Sequence, residues 1–228
     1  MNIKRNFVSI AAAILLASPF VIPVRSGAGK VPQYVPPDIL SASNIPYPVD
    51  TLAVGAVSLL LSLDSNAQIQ NMQILRDFPS LTSSVQNAVT TWTFRPAVLK
   101  GSPVPSEISL TVIFNIFNPA GGAASQGFVL APAQSTFPDA SQFTPPQIVQ
   151  ASFANYPAAS VAQGTVVLDV TVGRAGQPKQ IRVINDVPAL SQQAISAVKT
   201  WGFNAATIHG QPVPAQIVIA FVFQRNTS

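Results

Sequence analysis

Aliphatic residues occupy every second position in two separate stretches of the chain. These residues are Val57, Leu59, Leu61 and Leu63 in the first stretch and Val166, Leu168, Val170 and Val172 in the second. A period of two with one apolar face predicts a half-buried β-strand. A polar turn follows each stretch, and second strands are predicted at 72–75 and 181–184. Each stretch should therefore open a β-hairpin.

Downstream of each hairpin, apolar residues recur with the spacing of a helix. They are Leu81, Val85, Ala88, Val89 and Trp92, and then Leu190, Ala194, Ala197, Val198 and Trp201. This spacing predicts a helix with one face turned to a sheet, and both tryptophans should anchor a core. Asp77 and Asp186 each stand two residues before a proline, so we expect the helices to begin there with the acids capping backbone amides.

A Pro-Val-Pro turn and a last apolar strand follow each helix, which gives the order ββαβ twice. Residue n of the first copy matches residue n + 109 of the second without a gap, as Trp92 matches Trp201. The sequence therefore predicts an α+β fold: two ββαβ units in tandem, each a small antiparallel sheet packed against one helix. We place the units at 36–115 and 145–226, with an Ala/Gly/Ser/Pro linker at 116–144.

The first 28 residues have the pattern of an export signal. Lys4 and Arg5 precede an apolar run at 7–24, and small residues at 26–28 could accept cleavage. The alternative is an uncleaved membrane anchor, although two prolines interrupt the run. A short linker at 29–35 follows. We therefore expect a periplasmic or secreted protein, or one anchored in the inner membrane with periplasmic domains.

Composition excludes several classes of function. Charged residues make up 9% of the chain, and 12 basic residues face 8 acidic ones. Lys4, Arg5 and Arg25 account for three of the basic residues, so the rest is nearly neutral, which disfavours a nucleic-acid-binding protein because that class needs a clustered basic face. With no cysteine and a single histidine, His209, the chain offers no cysteine nucleophile and no multi-histidine metal site.

No constellation of residues points to catalysis or to a bound cofactor. His209 falls in a turn whose twin carries Lys100, and a solvated loop histidine is the better interpretation. Asp64 matches Gly173 and Asp169 matches Leu60, so no carboxylate pair occurs in both copies. We expect neither an enzyme nor a cofactor or metal requirement.

The order of residues in each copy resembles the C-terminal domain of the TonB family. A Tyr-Pro precedes the first strand (Tyr47-Pro48, Tyr156-Pro157), Gly55 and Gly164 open it, and the helix ends in Ala-Val-x-Thr-Trp-x-Phe before a Gly and Pro-Val-Pro. The resemblance implies a last strand at an open sheet edge, to which an extended peptide of an outer-membrane transporter adds. The expected edge residues are Ile108, Leu110, Val112, Phe114, Ile217, Ile219, Phe221 and Phe223.

The chain also departs from the energy-coupling members of this family. The apolar run at 7–24 contains no histidine, and the long proline-rich spacer is missing. The resemblance implies a module that binds a peptide of an outer-membrane or envelope protein. Two alternatives stay open: a scaffold or homodimer in which the last strands pair with each other, and a membrane-anchored energy transducer.

Overall fold

A computed structural model describes residues 34–117, 143–157 and 159–225. The elements of the first copy are β1 (Tyr34–Val35), β2 (Asp38–Ser41), β3 (Gly55–Leu63), β4 (Ile69–Arg76), α1 (Pro79–Val89), β5 (Thr93–Arg95), β6 (Ala97–Leu99), β7 (Ser102–Val104) and β8 (Ser106–Phe117). Those of the second are β9 (Phe143–Thr144), β10 (Gln147–Gln150), β11 (Gly164–Val172), β12 (Pro178–Asn185), α2 (Pro188–Val198), β13 (Gly202–Asn204), β14 (Ala206–Ile208), β15 (Gln211–Val213) and β16 (Ala215–Arg225).

The two copies contain the same elements in the same order, which confirms the α+β fold with two repeated units. The long strands and the helix of each copy follow the predicted ββαβ order. Sequence reasoning missed the short strands around them: β1 pairs with the β6–β7 hairpin and β2 with β5, while β9 and β10 pair in the same way with β14 and β13. The predicted export signal at 1–28 and most of the linker at 116–144 lie outside the described residues.

The repeated glycine before each Pro-Val-Pro is explained by a hairpin turn. Lys100 and Gly101 have φ of 51° and 87°, and His209 and Gly210 have φ of 50° and 74°. Two consecutive residues with positive φ are typical of a two-residue hairpin turn, in which glycine is favoured because it has no Cβ. His209 is exposed at the tip of this turn, as the sequence predicts.

The helices begin where predicted, but the acids do not cap them. Phe78 and Val187 occupy the N-cap positions and make no side-chain capping bond. Instead, the Thr82 hydroxyl donates to Asp77 Oδ1 at 2.6 Å and accepts a hydrogen bond from the Phe78 amide at 3.0 Å. Ser191 does the same between Asp186 and Val187. Each acid therefore accepts a hydrogen bond from a hydroxyl one turn into the helix. That hydroxyl in turn accepts a hydrogen bond from the amide of the N-cap residue.

One six-stranded sheet runs through both copies in the order β12-β11-β16-β8-β3-β4. Every neighbouring pair is antiparallel except the central one: β8 and β16, the last strands of the two copies, pair in parallel. The ladder between them extends from Leu110–Val218 to Phe117–Arg225. The two copies therefore form a single sheet rather than two separate ones.

The two helices cover opposite faces of this sheet. α1 packs on the face that carries Leu59 and Leu110, and α2 packs on the face that carries Leu168 and Ile219. We call these the α1 face and the α2 face. Paired residues of neighbouring strands point to the same face, so Leu110 cannot pair with its own repeat equivalent, Ile219. Leu110 pairs instead with Val218, the residue immediately before its repeat equivalent.

The prediction of half-buried strands is wrong, because both faces of β3, β8, β11 and β16 are covered. Ser58 and Thr111 point away from α1, yet they are 3% and 2% exposed, and their hydroxyls lie 3.0 Å apart in a hydrogen bond. Each copy contributes apolar residues to the other's core, since Val218, Ala220 and Val222 join the α1 side and Ala56 and Ile113 join the α2 side. The predicted tryptophan anchors, Trp92 and Trp201, are 5% and 4% exposed in equivalent positions.

Candidate functional site

The structure corrects the position of the predicted peptide-binding edge. The residues concerned lie on β8 (Ile108, Leu110, Val112, Phe114) and β16 (Ile217, Ile219, Phe221, Phe223), and each is at most 1% exposed. From Leu110 and Val218 onward, both strands are in ladders on both sides, β8 with β3 and β16, and β16 with β8 and β11, whereas Ile108 and Ile217 precede the β8–β16 ladder. The edge that each copy would offer alone is therefore occupied by the other copy.

The Tyr-Pro motif supports the core rather than a ligand. The Tyr47 hydroxyl donates to the Ala53 carbonyl, and its ring meets Phe114 edge-on at 5.2 Å. Tyr156 repeats both contacts, with the Ala162 carbonyl and with Phe223 at 5.5 Å. Burial raises the pKa of Tyr47 from 10.0 to about 12, which extends the alkaline pH range over which the hydroxyl is protonated and can donate.

Polar contacts also join the two copies across the sheet. Ile45, in the segment after β2, donates its amide to the Thr165 hydroxyl of β11 at 2.9 Å, and that hydroxyl donates back to the Ile45 carbonyl at 3.1 Å. In the other direction, the Asn115 side chain of β8 donates to the Ala154 carbonyl at 2.6 Å. Ile45 and Ala154 are repeat equivalents, so the leading segment of each copy lies over the sheet of the other.

An ion cluster links the copies on the α1 face. Arg182 of β12 contacts Asp38 of β2 and reaches Asp169 of β11 at 3.0 Å, and it also donates to the Ile39 carbonyl at 3.2 Å. Arg95 lies 3.4 Å from Asp38 at the more exposed end of the cluster. The repeat-equivalent positions hold Leu60 and Gln73 in the first copy and Gln147 in the second, so the same set of charges does not occur twice.

Burial dominates the electrostatics of this cluster. Asp169 is 5% exposed, and desolvation raises its pKa above the ordinary value of 3.8. The hydrogen bond from Arg182 acts against this rise, while the neighbouring charge of Asp38 adds to it. Arg182 thus offsets part of the effect of burial on the Asp169 carboxyl at the junction of the copies.

Among the described residues, the two outer strands of the sheet are β4 and β12, which are repeat equivalents. Both strands are eight residues long. Their sequences differ in a way that matters for an edge: β12 begins with Pro178 and carries Lys179 and Arg182, while β4 has Ile69, Gln70 and Gln73 at those positions. Proline and charged side chains are the usual protection of a sheet edge against further pairing.

No candidate metal centre is found in the part of the chain that the structure describes. No group of three His, Cys, Asp or Glu side chains comes together there. His209 is exposed on the turn between β14 and β15. In the sequence it is distant from the residues of the Asp38–Arg182–Asp169 cluster. Within the described ranges, no helix has the length and apolar character needed to cross a membrane.

Sequence reasoning missed the cluster for a physical reason. Arg182 and Asp169 face each other in the β11–β12 hairpin, so their contact could be read from hairpin register. Asp38 lies 144 positions before Arg182, and no local pattern indicates that β2 packs beside the other copy's hairpin.

The family model "Gram-negative bacterial TonB protein C-terminal" matches the chain twice, at residues 51–116 and 154–224. The matched residues make up more than half of the chain, and the chain therefore belongs to this family as a tandem of two domains. The family comprises non-catalytic domains of the periplasmic type that interact with envelope or outer-membrane proteins. Neither the search of curated proteins nor that of solved structures found a match.

Proposed function

We propose that this protein is an exported, periplasmic binding module that recognises an extended peptide of an outer-membrane or envelope protein by β-strand addition, in the service of transport across the envelope. The observation that carries the proposal is that β4 and β12 are the outer strands of the described sheet, each in a ladder on one side, in a chain of the TonB C-terminal family. An outer strand offers backbone amides and carbonyls to a further strand, and its side chains select the partner. The last strands cannot serve in this arrangement, because they pair with each other.

A second candidate function is favoured by the β8–β16 ladder itself. A tandem whose binding edges occupy each other can act as a scaffold or form a homodimer, without a peptide partner. Under this candidate, the outer strands contact nothing in the envelope or contact a second copy of the chain. In a further alternative, residues 7–24 are an uncleaved anchor that keeps the module at the inner membrane.

Site-specific photo-crosslinking in the native envelope separates these candidates. A photoreactive amino acid is placed at Asn71 of β4 or Lys179 of β12, with the exposed helix position Ser83 as the matched control. We expect adducts from a sheet edge, but not from Ser83, that map to one extended segment of an envelope protein. Adducts only with a second copy would favour the homodimer, and equal adducts from Ser83 would contradict strand addition.

A further inference from the structure

We propose that β4 of the first copy, and not the equivalent β12 of the second, is the edge that accepts an added strand, and that its occupant is an uncharged segment alternating aliphatic with amide or hydroxyl side chains. This inference rests on the proposed function, because it names the edge and the chemistry of the partner. We call the outer side of Ile69–Arg76 the β4 edge.

The repeat supplies an internal comparison of the two edges. A strand that begins with proline and carries lysine and arginine resists pairing with another chain, since proline lacks an amide to donate and an added strand would displace water from the charged side chains. Pro178, Lys179 and Arg182 provide these features in β12. Arg182 is also engaged with Asp38 of the first copy, which places β2 beside this edge. The second copy's edge is therefore protected twice.

From Ile69 to Leu75, the β4 edge has neither the proline nor the charged side chains of β12. Ile69 stands in place of the proline and Gln70 in place of the lysine, and up to Arg76 the strand contains no charged residue. Gln70 and Asn71 are exposed, and Ile74 is a large aliphatic side chain with 42% of its surface accessible. A strand with these properties accepts an added strand without burying a charge.

The side chains of β4 define what the occupant should look like. Met72 and Ile74 pair with Leu61 and Leu59 and so lie on the α1 face, while Asn71 and Gln73 pair with Ser62 and Leu60 on the α2 face. Residues on neighbouring strands interact with those on the same face. An added strand should therefore place aliphatic side chains next to Met72 and Ile74, and amide or hydroxyl side chains next to Asn71 and Gln73.

A second copy of the chain is the weaker occupant. Pairing β4 with β4 of another copy would join two six-stranded sheets into one, which exceeds the roughly ten strands that strongly twisted open sheets commonly reach. The edge also offers little apolar area for a stable dimer. It is eight residues long, and Ile74 is its one large aliphatic residue with more than a third of its surface exposed. A single added strand has neither difficulty.

A reciprocal exchange between the edges tests the proposal on the full-length protein. The variant I69P/Q70K gives β4 the residues of β12, and P178I/K179Q gives β12 those of β4. Since β12 accommodates Pro178 at this position, the internal ladder does not require the amide, and both variants should fold. The probe is a fluorescein-labelled peptide, Lys-Lys-Thr-Val-Thr-Ile-Thr-Val-Thr, with a control peptide in which glutamate replaces each aliphatic residue.

We expect the probe to bind the wild-type protein at one site and to slow hydrogen exchange of the β4 amides. Its affinity for I69P/Q70K should be at least about tenfold lower, because that variant loses a ladder hydrogen bond and gains a charge. P178I/K179Q should gain a second site, and the glutamate peptide should not bind. Protection of β12 in the wild-type protein, or unchanged binding by I69P/Q70K, would overturn the choice of edge but leave strand addition standing. Absence of binding at both edges would overturn both proposals, and sedimentation as a dimer that I69P/Q70K abolishes would make a second copy the occupant.

Discussion

Replacing Ile219 by proline should destabilise the whole fold, whereas at an open edge it would remove only binding. Ile219 pairs with Leu168 of β11 on one side and with Thr111 of β8 on the other, and it is completely buried. Proline cannot donate to a ladder, and its ring displaces the neighbouring strand, so we expect a loss of at least about 3 kcal/mol in the free energy of unfolding. Urea denaturation followed by tryptophan fluorescence measures this loss.

Ile69→Pro serves as the control for this experiment. It introduces proline at the start of an outer strand, at the position where β12 already has Pro178. Its effect on the urea midpoint should be small compared with that of Ile219→Pro. Equal midpoints for Ile219→Pro and the wild-type protein would show that β16 is not an interior strand.

Replacing Arg182 by glutamine, the residue at the equivalent position of the first copy, should cause the second large loss of stability. The change leaves Asp38 and Asp169 close together without their shared cation, and Asp169 is almost fully buried. Removing one partner of a buried ion pair commonly costs about 3–5 kcal/mol, but Arg182 is 41% exposed and solvent screens part of its charge. We therefore expect a loss of about 2 kcal/mol at neutral pH.

Two further variants separate charge from packing in this result. Arg95→Gln removes the more exposed cation beside the same Asp38 and should cost at most about 1 kcal/mol. The double variant R182Q/D169L reproduces the Gln73–Leu60 pair of the first copy, and it should recover most of the stability lost in R182Q. A double variant as unstable as R182Q would show that the buried charge of Asp169 is not the cause.

The loss in R182Q should also depend on pH in a defined direction. The pKa of Asp169 is already raised by burial, and it should rise further once the hydrogen bond from Arg182 is gone. A carboxyl with a raised pKa binds its proton more tightly in the folded state than in the unfolded state, so its contribution to stability is largest at low pH and is lost as pH increases through the folded-state pKa. The difference between wild type and R182Q should thus be larger at neutral pH than near the ordinary Asp value of 3.8.

The sequence was sufficient to predict the long strands and the helix of each copy, although not the short strands around them. The period-two stretches became β3 and β11, and the apolar stripes of Leu81 and Leu190 became the buried faces of α1 and α2. Residues that are 109 positions apart also make equivalent side-chain contacts, since Tyr47 and Tyr156 make the same hydrogen bond and the same ring contact. These features depend on local periodicity and on repeated residues, which a sequence displays directly.

The relation between the copies could not be predicted in the same way. Ser58 and Thr111 occupy positions that suit a solvent-facing side of a strand, but small hydroxyl side chains can equally be buried when they bond to each other. The pairing of Leu110 with Val218 instead of Ile219 follows from the two helices lying on opposite faces, which is a property of the assembled sheet. The predicted edge residues therefore lie on the last strand of each copy, as expected, but these strands are in the centre of the sheet and not at its edge.

The parallel contact between β8 and β16 is tested most directly by a disulfide, because the natural chain contains no cysteine. Leu110 and Val218 are paired on the α1 face, whereas Leu110 and Ile219 point to opposite faces. In L110C/V218C, with a protease site inserted in residues 118–142, the two fragments should stay joined on a denaturing gel after cleavage until a reductant is added. The control L110C/I219C should separate. Separation of the L110C/V218C fragments without reductant, or joining only between different molecules, would contradict a single sheet shared by the two copies.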